Sequence, residues 1–186
     1  MALKATIFKA DLQISDIDRD YYQTHKLTLA RHPSETDERM MVRLLVFALQ
    51  ADAALEFTDD ISADDAPALW QKSLSGEISR WIEIGLPDEK RIRKACRRAR
   101  QVIIYCYGLR RARVWWQNLQ DQLERFDNLS VFFVPDDSVT ALAAMAQRTM
   151  QLTCLIQDGQ LSLSDDLRQV DLVPEVWLQS LPAGRE

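Results

Sequence analysis

The sequence predicts an α/β protein: one domain with a central mixed β-sheet flanked by helices and a β-hairpin at each end. Strand-like and helix-like segments alternate through the middle of the chain, as they do in folds of this class. The chain has 186 residues, the usual size of one domain, with only 5 glycines and 6 prolines. Little of it can serve as an interdomain linker, so we expect residues 1–186 to form a single domain.

The positions of the elements follow from periodicity and turn signals. An N-terminal hairpin is predicted over residues 3–15 and 26–30, which the charged stretch 16–20 separates. A helix is expected over 35–53, with Ser34 as its N-cap and Asp37 as the acid of a capping box. The other predicted elements are a helical turn at 66–71, strands at 78–86, 102–107 and 129–134, helices at 88–100, 111–126 and 136–147, and a second hairpin at 149–156 and 160–164 around Asp158-Gly159.

The composition argues against several classes of protein. A net charge of −5 does not suit a general nucleic-acid coating protein, although it allows a local basic patch. The first residues show neither a long apolar stretch nor a cleavage site of a secretory leader, and no segment has about 18 consecutive apolar residues, so we expect no membrane association. Dinucleotide, phosphate-loop and nucleophile-elbow motifs are absent, so we expect no organic cofactor. Three cysteines without pairing or zinc spacing favour the reducing cytoplasm, and we expect a monomer by default.

The segment from Trp81 to Pro87 contains the most informative acid. Side chains alternate across a strand, so Trp81, Glu83 and Gly85 share one face. A carboxylate inside an apolar strand must be paired, protonated or bound to a metal, because burial of an isolated charge is costly. Glu83 is therefore either half of a structural salt bridge or a metal ligand beside the open space at Gly85.

The helix predicted after this strand is strongly basic. Its buried stripe runs from Ile92 to Ala99, and from Lys90 onward every position outside that stripe is Lys or Arg. A cation in the first turn opposes the helix dipole and suits an anionic ligand. The face is either a solvated counterweight to the acidic remainder of the chain or a surface for phosphates. The candidate nucleic-acid contacts are Lys94, Arg97 and Arg98.

Two further acids extend the candidate metal site. The wheel of the first predicted helix places Glu38 on its inner face, as the partner of an arginine such as Arg31 or as part of a site. Asp65 is either a helix N-cap or a metal ligand. If Asp65 and Glu83 converge with Glu38 near them, these hard oxygen ligands select Mg²⁺ or Mn²⁺.

Several long motifs resemble the YaeQ family of bacterial proteins. They are Leu27-Thr28-Leu29-Ala30-Arg31-His32-Pro33-Ser34-Glu35-Thr36-Asp37-Glu38, then Trp81-Ile82-Glu83-Ile84-Gly85-Leu86-Pro87-Asp88-Glu89, and residues 152–165 with Ile156-Gln157-Asp158-Gly159. The start of the chain is similar as well, so the resemblance covers essentially all of it. It implies a variant of the restriction-endonuclease-like fold of the PD-(D/E)XK superfamily.

The resemblance also implies roles for the acids. The superfamily builds its site from a first-helix acid, an Asp before or on one strand, and a Glu-x-Lys on the next strand. Glu38 matches the first acid, Asp65 (or Asp64) the Asp, and Glu83 the Glu, with Asp65 and Glu83 as the metal ligands. No proline precedes the Asp, which departs from the family pattern.

The lysine of Glu-x-Lys is the main departure, because Gly85 stands in its place. In some branches of the superfamily this lysine has moved to the adjacent helix, which assigns the role to Lys90, with Lys94 second. The first functional hypothesis built on this mapping is a nuclease or phosphodiesterase in which Mg²⁺ or Mn²⁺ activates a water and Lys90 stabilises charge on the phosphate.

Two other functions stay open at the level of the sequence. A non-catalytic module could keep the fold and bind nucleic acid or a protein, through the basic helix and through Trp115-Trp116 if either ring is exposed. The tryptophans can equally be part of the core. The third option is a protein in which all these acids are structural.

Overall fold

The structure, a computed structural model, describes residues 4–58 and 66–180. Within these residues it has eleven strands and four helices, which form two mixed sheets. In chain order the elements are β1 (Thr6–Asp16), β2 (Tyr21–Arg31), α1 (Asp37–Leu49), β3 (Leu55–Phe57), β4 (Leu69–Lys72), β5 (Ile78–Ile84), α2 (Glu89–Arg98), β6 (Ala99–Cys106), α3 (Leu109–Leu123), β7 (Leu129–Phe133), α4 (Asp136–Ala143), β8 (Thr149–Gln157), β9 (Gln160–Ser164), β10 (Gln169–Leu172) and β11 (Glu175–Leu178).

The chain divides into two compact units, each with its own sheet. The first unit comprises the chain up to residue 51 and residues 137–173. Its strand order is β10-β9-β8-β1-β2, in which only β1 and β8 are parallel. Asp158 and Gly159, at the tip of the β8–β9 hairpin, both have positive φ, as a tight hairpin turn requires. Both predicted hairpins are therefore confirmed.

The helix α1 is buried along most of its length in the first unit. All nine residues of the range Met40–Ala48 are buried, including Arg43. The guanidinium of Arg43 binds the Glu35 carboxylate, with its Nε 2.7 Å from Oε1, and donates to the carbonyl of Ala30 in β2. A charged side chain is tolerated there because its donors are satisfied.

The start of α1 differs from the prediction. Thr36, rather than Ser34, is the N-cap, and its hydroxyl accepts a hydrogen bond from the Arg39 backbone N–H. Ser34 instead contacts the ring nitrogen of His32 at 2.6 Å. Because the helix begins at residue 37, the wheel drawn from residue 35 assigned helical geometry to two residues that lie outside it.

The second unit comprises residues 52–136 and the chain from 174 onward. Its sheet has the order β11-β7-β6-β5-β4-β3, with β5, β6 and β7 parallel. The strand β6 lies between β5 and β7 and is buried from Val102 to Cys106, as its apolar sequence predicts. The helices α2 and α3 connect these parallel strands and pack on one sheet face, over a cluster that includes Trp81, Ile92 and Leu129.

Three predicted features of the fold are wrong or incomplete. The helical turn expected at 66–71 is instead the strand β4, which pairs with both β3 and β5. The short strands β3, β10 and β11 were not predicted. The sequence indicates one central sheet and the structure has two, because alternation shows that strands exist without showing which of them pair. No helix in the described part of the chain is both long and apolar enough to cross a membrane.

Candidate functional site

Glu83 lies near the end of β5, on the sheet face that α2 covers. Its side chain is only 6% exposed. The Oε1 atom accepts two hydrogen bonds, from the Trp81 indole N–H at 2.8 Å and from Arg91 Nε at 2.7 Å. Trp81 and Glu83 thus share a face, as strand alternation predicts. Of the two interpretations of Glu83, the structural salt bridge is present.

Arg91 connects three segments around this carboxylate. The first turn of α2 positions it, because the Asp88 side chain caps the helix by accepting the Arg91 backbone N–H at 2.8 Å. While Nε binds Glu83, Nη2 donates to the carbonyl of Ala66 at 2.7 Å. The guanidinium therefore joins β5 and α2 to the residue that directly follows Asp65. Asp64 and Asp65 themselves lie outside the described residues.

The other oxygen of the Glu83 carboxylate, Oε2, differs from Oε1. Within residues 4–58 and 66–180, no donor reaches Oε2. No group of three His, Cys, Asp or Glu among those same residues could hold a metal ion. At Glu83 the described residues thus contain no complete ligand set for Mg²⁺ or Mn²⁺, and a metal site there would need further ligands such as Asp64 or Asp65.

Lys90 does not occupy the place predicted for it. It is exposed, and Arg91 is the cation bound to Glu83. The expectation that Lys90 is the cation nearest Glu83 is wrong. On a helix, Lys90 points about 160° away from Ile92, the centre of the buried stripe, whereas Arg91 borders that stripe.

Gly85, which stands where the resemblance expects a lysine, has a backbone conformation that favours glycine. Its φ is +105°, a region that favours glycine, and no atom lies within 4 Å of a Cβ built there. The space beside the end of β5 is therefore open, as predicted. A residue with a side chain would nevertheless be strained at this position, because it would have to adopt the positive φ of Gly85.

Glu38 does not point inward as predicted. It is exposed in the first turn of α1, where a carboxylate is favoured by the helix dipole. The buried acid of this region is Glu35, which binds Arg39 and Arg43. Arg31, the suggested partner of Glu38, pairs with Asp37. The role of Glu38 in a site remains a prediction.

The helix α2 presents a basic surface, which we define as the exposed side chains of Lys90, Lys94, Arg97 and Arg98. Only Ile92 and Ala95 of this helix are buried. Arg98 also lies over the Trp81 ring, 5.4 Å from its centroid. Among the described residues, no carboxylate pairs with Lys90 or Arg97.

Other cations next to this surface are neutralised by acids. Arg93 pairs with Glu89 one turn earlier in α2. Arg100 pairs with Glu77, and the hydrogen bond and charge of that carboxylate raise the pKa of Arg100 above its usual value. The basic surface is thus the exposed part of a longer cationic segment, in which Arg93 and Arg100 are held by acids.

The two adjacent tryptophans belong mainly to the packing of α3. Trp115 and Trp116 are half-buried against the core cluster, and the Trp115 indole donates to the Pro87 carbonyl at 2.7 Å. Trp116 lies beside Trp177 of β11, with ring centroids 5.8 Å apart. The tryptophan pair therefore does not form an exposed stacking platform.

The sequence interpretation missed two buried or half-buried ion-pair residues, Arg91 in the second unit and Glu35 in the first. Arg91 was one of seven basic residues in its segment, and its position at the border of the buried stripe is the signal that distinguishes it from Lys90. Glu35 gives no such signal, because its burial depends on Arg43 eight residues away.

The protein is an α/β protein with two mixed sheets, and in one of them a buried glutamate–arginine pair lies beside a basic helix. Comparison with known proteins identifies its family. A sequence model of the family described as "YaeQ protein" matches residues 1–174. The chain is 47% identical over 179 residues to "Uncharacterized protein YaeQ" of Escherichia coli (strain K12), covering 96% of this chain and 99% of that protein. The chain belongs to the YaeQ family.

Solved structures agree with this assignment. The crystal structure of the YaeQ protein from Xanthomonas axonopodis pv. citri is similar with a TM-score of 0.91 and 46% identity, covering 95% of this chain and 99% of that one. That of the YaeQ protein from Pseudomonas syringae has a TM-score of 0.90 and 35% identity, covering 95% and 97%. The predicted family is therefore confirmed.

Proposed function

We propose that this protein is a non-catalytic module that binds nucleic acid through the basic surface of α2. The observation that carries the proposal is the exposure of Lys90 and Arg97 without a carboxylate partner among the described residues, within two turns of one helix. Phosphates are the anions that such a dense row of cations suits. The net charge of −5 confines the attraction to this local surface.

Three features of the Glu83 region support binding without cleavage. The Oε1 atom is committed to Arg91 and Trp81. The position of the superfamily lysine holds a glycine with positive φ, and the residue expected to replace that lysine, Lys90, is exposed. A buried pair of this kind holds β5 and α2 together, which is a structural task.

Binding is tested by fluorescence anisotropy with labelled single-stranded and duplex DNA and RNA, in EDTA. Lys90→Ala/Lys94→Ala should weaken binding by about tenfold or more at low salt and reduce the salt dependence of the affinity, because phosphate contacts are lost. The matched control is Lys9→Ala/Lys26→Ala, which removes the same charge from exposed positions of the first sheet. An equal loss in both variants, or tighter binding of an acidic peptide than of any nucleic acid, would contradict the proposal.

A second candidate function is a metal-dependent nuclease or phosphodiesterase on a restriction-endonuclease-like fold. The observation that favours it is the Oε2 atom of Glu83, which no donor in the described residues reaches, together with the contact between Arg91 and Ala66, next to Asp65. In this version Asp65 and Glu83 hold Mg²⁺ or Mn²⁺, Glu38 orders a water, and Arg91 takes the role expected of Lys90.

Calorimetric titration with Mn²⁺ separates the two candidates. The nuclease version predicts that the wild type binds the ion and that Glu83→Ala abolishes this binding. The binding-module version predicts no difference between the two proteins. Glu77→Ala, which removes a carboxylate from an exposed position, is the control for a general loss of negative charge.

A further inference from the structure

A groove lies between α2 and α3 in the second unit. It has a volume of about 610 Å³, in the range of ligand sites, and is lined by Glu89, Arg93, Arg97, Gln122, Arg125 and Phe126. Residues 89, 93 and 97 follow at intervals of four and therefore form one flank of α2. Arg91 and Arg98 lie on the other flank, toward Glu83 and Trp81. The groove is thus separate from the Glu83 region.

The groove carries more positive than negative charge on the residues that line it. It contains three guanidinium groups and one carboxylate, and that carboxylate, Glu89, pairs with Arg93. Arg97 and Arg125 have no acidic partner in the described part of the chain. Arginines presented together in a concave site attract anions, and their planar donors match the oxygens of a phosphate.

Gln122 adds an uncharged polar group to the lining of the groove. Its Oε1 atom is buried, and no donor within the described residues reaches it. Folded proteins rarely leave a buried acceptor unsatisfied without a reason such as a missing ligand or water. A small rotation of the amide would present it to a group inside the groove, such as a sugar hydroxyl or a base amine.

We propose that this groove seats the backbone of single-stranded nucleic acid, an inference that rests on the proposed function. Arg97 and Arg125 bind phosphate oxygens, and Gln122 binds the adjoining nucleoside. A flexible single strand can bend into a concave groove between two helices. Duplex DNA is stiff over about 150 base pairs, so it contacts the protruding Lys90 and Lys94 and does not enter.

The test compares Arg125→Ala with Arg111→Ala in anisotropy titrations of single-stranded and duplex oligonucleotides. Arg111 is an exposed arginine near the other end of α3, about 20 Å away. Arg125→Ala should weaken single-strand binding about tenfold, lower the slope of log K against log salt by about 0.7, and leave duplex binding unchanged. Arg111→Ala should change neither.

Gln122→Leu guards against a loss of binding that merely reflects misfolding. It should weaken single-strand binding while the thermal midpoint stays the same or rises, because an unsatisfied buried oxygen is removed. Unchanged single-strand affinity in Arg125→Ala, or an equal loss for duplex, would overturn the groove assignment while wild-type binding still supported the basic surface. A wild type that binds no nucleic acid would overturn the proposed function itself, a result visible without any variant.

Discussion

The Glu83 carboxylate is stabilised by one guanidinium and one indole N–H, both on Oε1. Glu83→Gln removes the negative charge and leaves the Arg91 guanidinium partly buried beside a neutral group. We expect a loss of about 2–3 kcal/mol in the free energy of unfolding, below the full cost of a broken buried pair because Arg91 is 24% exposed. Urea denaturation measures this change.

The exposed pair Glu77–Arg100 offers the matched control. Glu77→Gln makes the same chemical change where water solvates both groups, and it should leave the unfolding midpoint nearly unchanged. If Glu83→Gln were instead neutral or stabilising, the carboxylate would be held against repulsion, as in a metal site, and the structural assignment would be wrong.

The three cysteines are free, and burial raises the pKa of each thiol to about 12. Thiols with such pKa values are protonated at pH 8, so we expect Cys96, Cys106 and Cys154 to react slowly with iodoacetamide in the native protein and rapidly in urea. Above pH 9 the unfolded chain loses these protons while the native state keeps them. Stability should therefore fall between pH 9 and pH 12. Rapid native labelling at pH 8 would contradict the burial of these groups.

At the residue scale, the sequence predicts that a side chain is buried and needs a partner better than it predicts which residue that partner is. That Glu83 is buried and needs a partner follows from its strand, and the structure confirms it. The identity of the partner as Arg91 follows only from its place at the border of the buried stripe. The inward orientation predicted for Glu38 failed because Glu38 lies in the first turn of α1, and the buried part of that helix begins only at Met40.

Among the elements, the start of α1 provides a direct test of capping. Thr36→Ala should cost about 1 kcal/mol, because the hydroxyl that accepts the Arg39 N–H is lost. Ser34→Ala removes a similar hydroxyl two residues earlier and should cost much less, since Ser34 contacts only the exposed His32. The free energy of unfolding of both variants, measured by heat or urea, shows which of the two residues caps the helix. A larger loss for Ser34→Ala would restore the cap that the sequence predicts.

Long elements with clear periodicity are the ones that the sequence locates correctly. The strand β5, the helix α2 with its Asp88 cap, the strand β6 and the β8–β9 hairpin all lie close to their predicted positions. The short strands β3, β4, β10 and β11 have three or four residues each, and their conformation is fixed by the strands beside them. Local sequence alone contains no such information.

For the whole molecule, the distribution of charge over the surface is a better guide to the partner than the net charge. The chain carries a net charge of −5, yet α2 collects six of its 23 basic residues in ten positions. Three of them, Arg91, Arg93 and Arg98, are held by Glu83, Glu89 and the Trp81 ring. The others are directed to solvent, and this separation makes α2 the surface from which we infer a polyanionic partner.

The single domain stays a prediction. Each of the two compact units is assembled from two separate stretches of the chain, so neither corresponds to one continuous segment. The N-terminal hairpin pairs with a strand from residues 149–157, and this pairing across more than 130 residues has no local signal. The family resemblance can predict such long-range pairing where periodicity cannot, because the family model matches residues 1–174 as a whole.

The most direct test of binding without cleavage follows a labelled single-stranded oligonucleotide incubated with the protein in EDTA, Mg²⁺ or Mn²⁺. Anisotropy reports the bound fraction and a denaturing gel reports the length of the strand. We predict binding in all three conditions, weaker in Mg²⁺ and Mn²⁺ because divalent ions compete with the protein for the phosphates, with the strand intact over hours. Metal-dependent shortening of the strand that disappears in Glu83→Gln would contradict this account, as would a wild type that does not bind in EDTA.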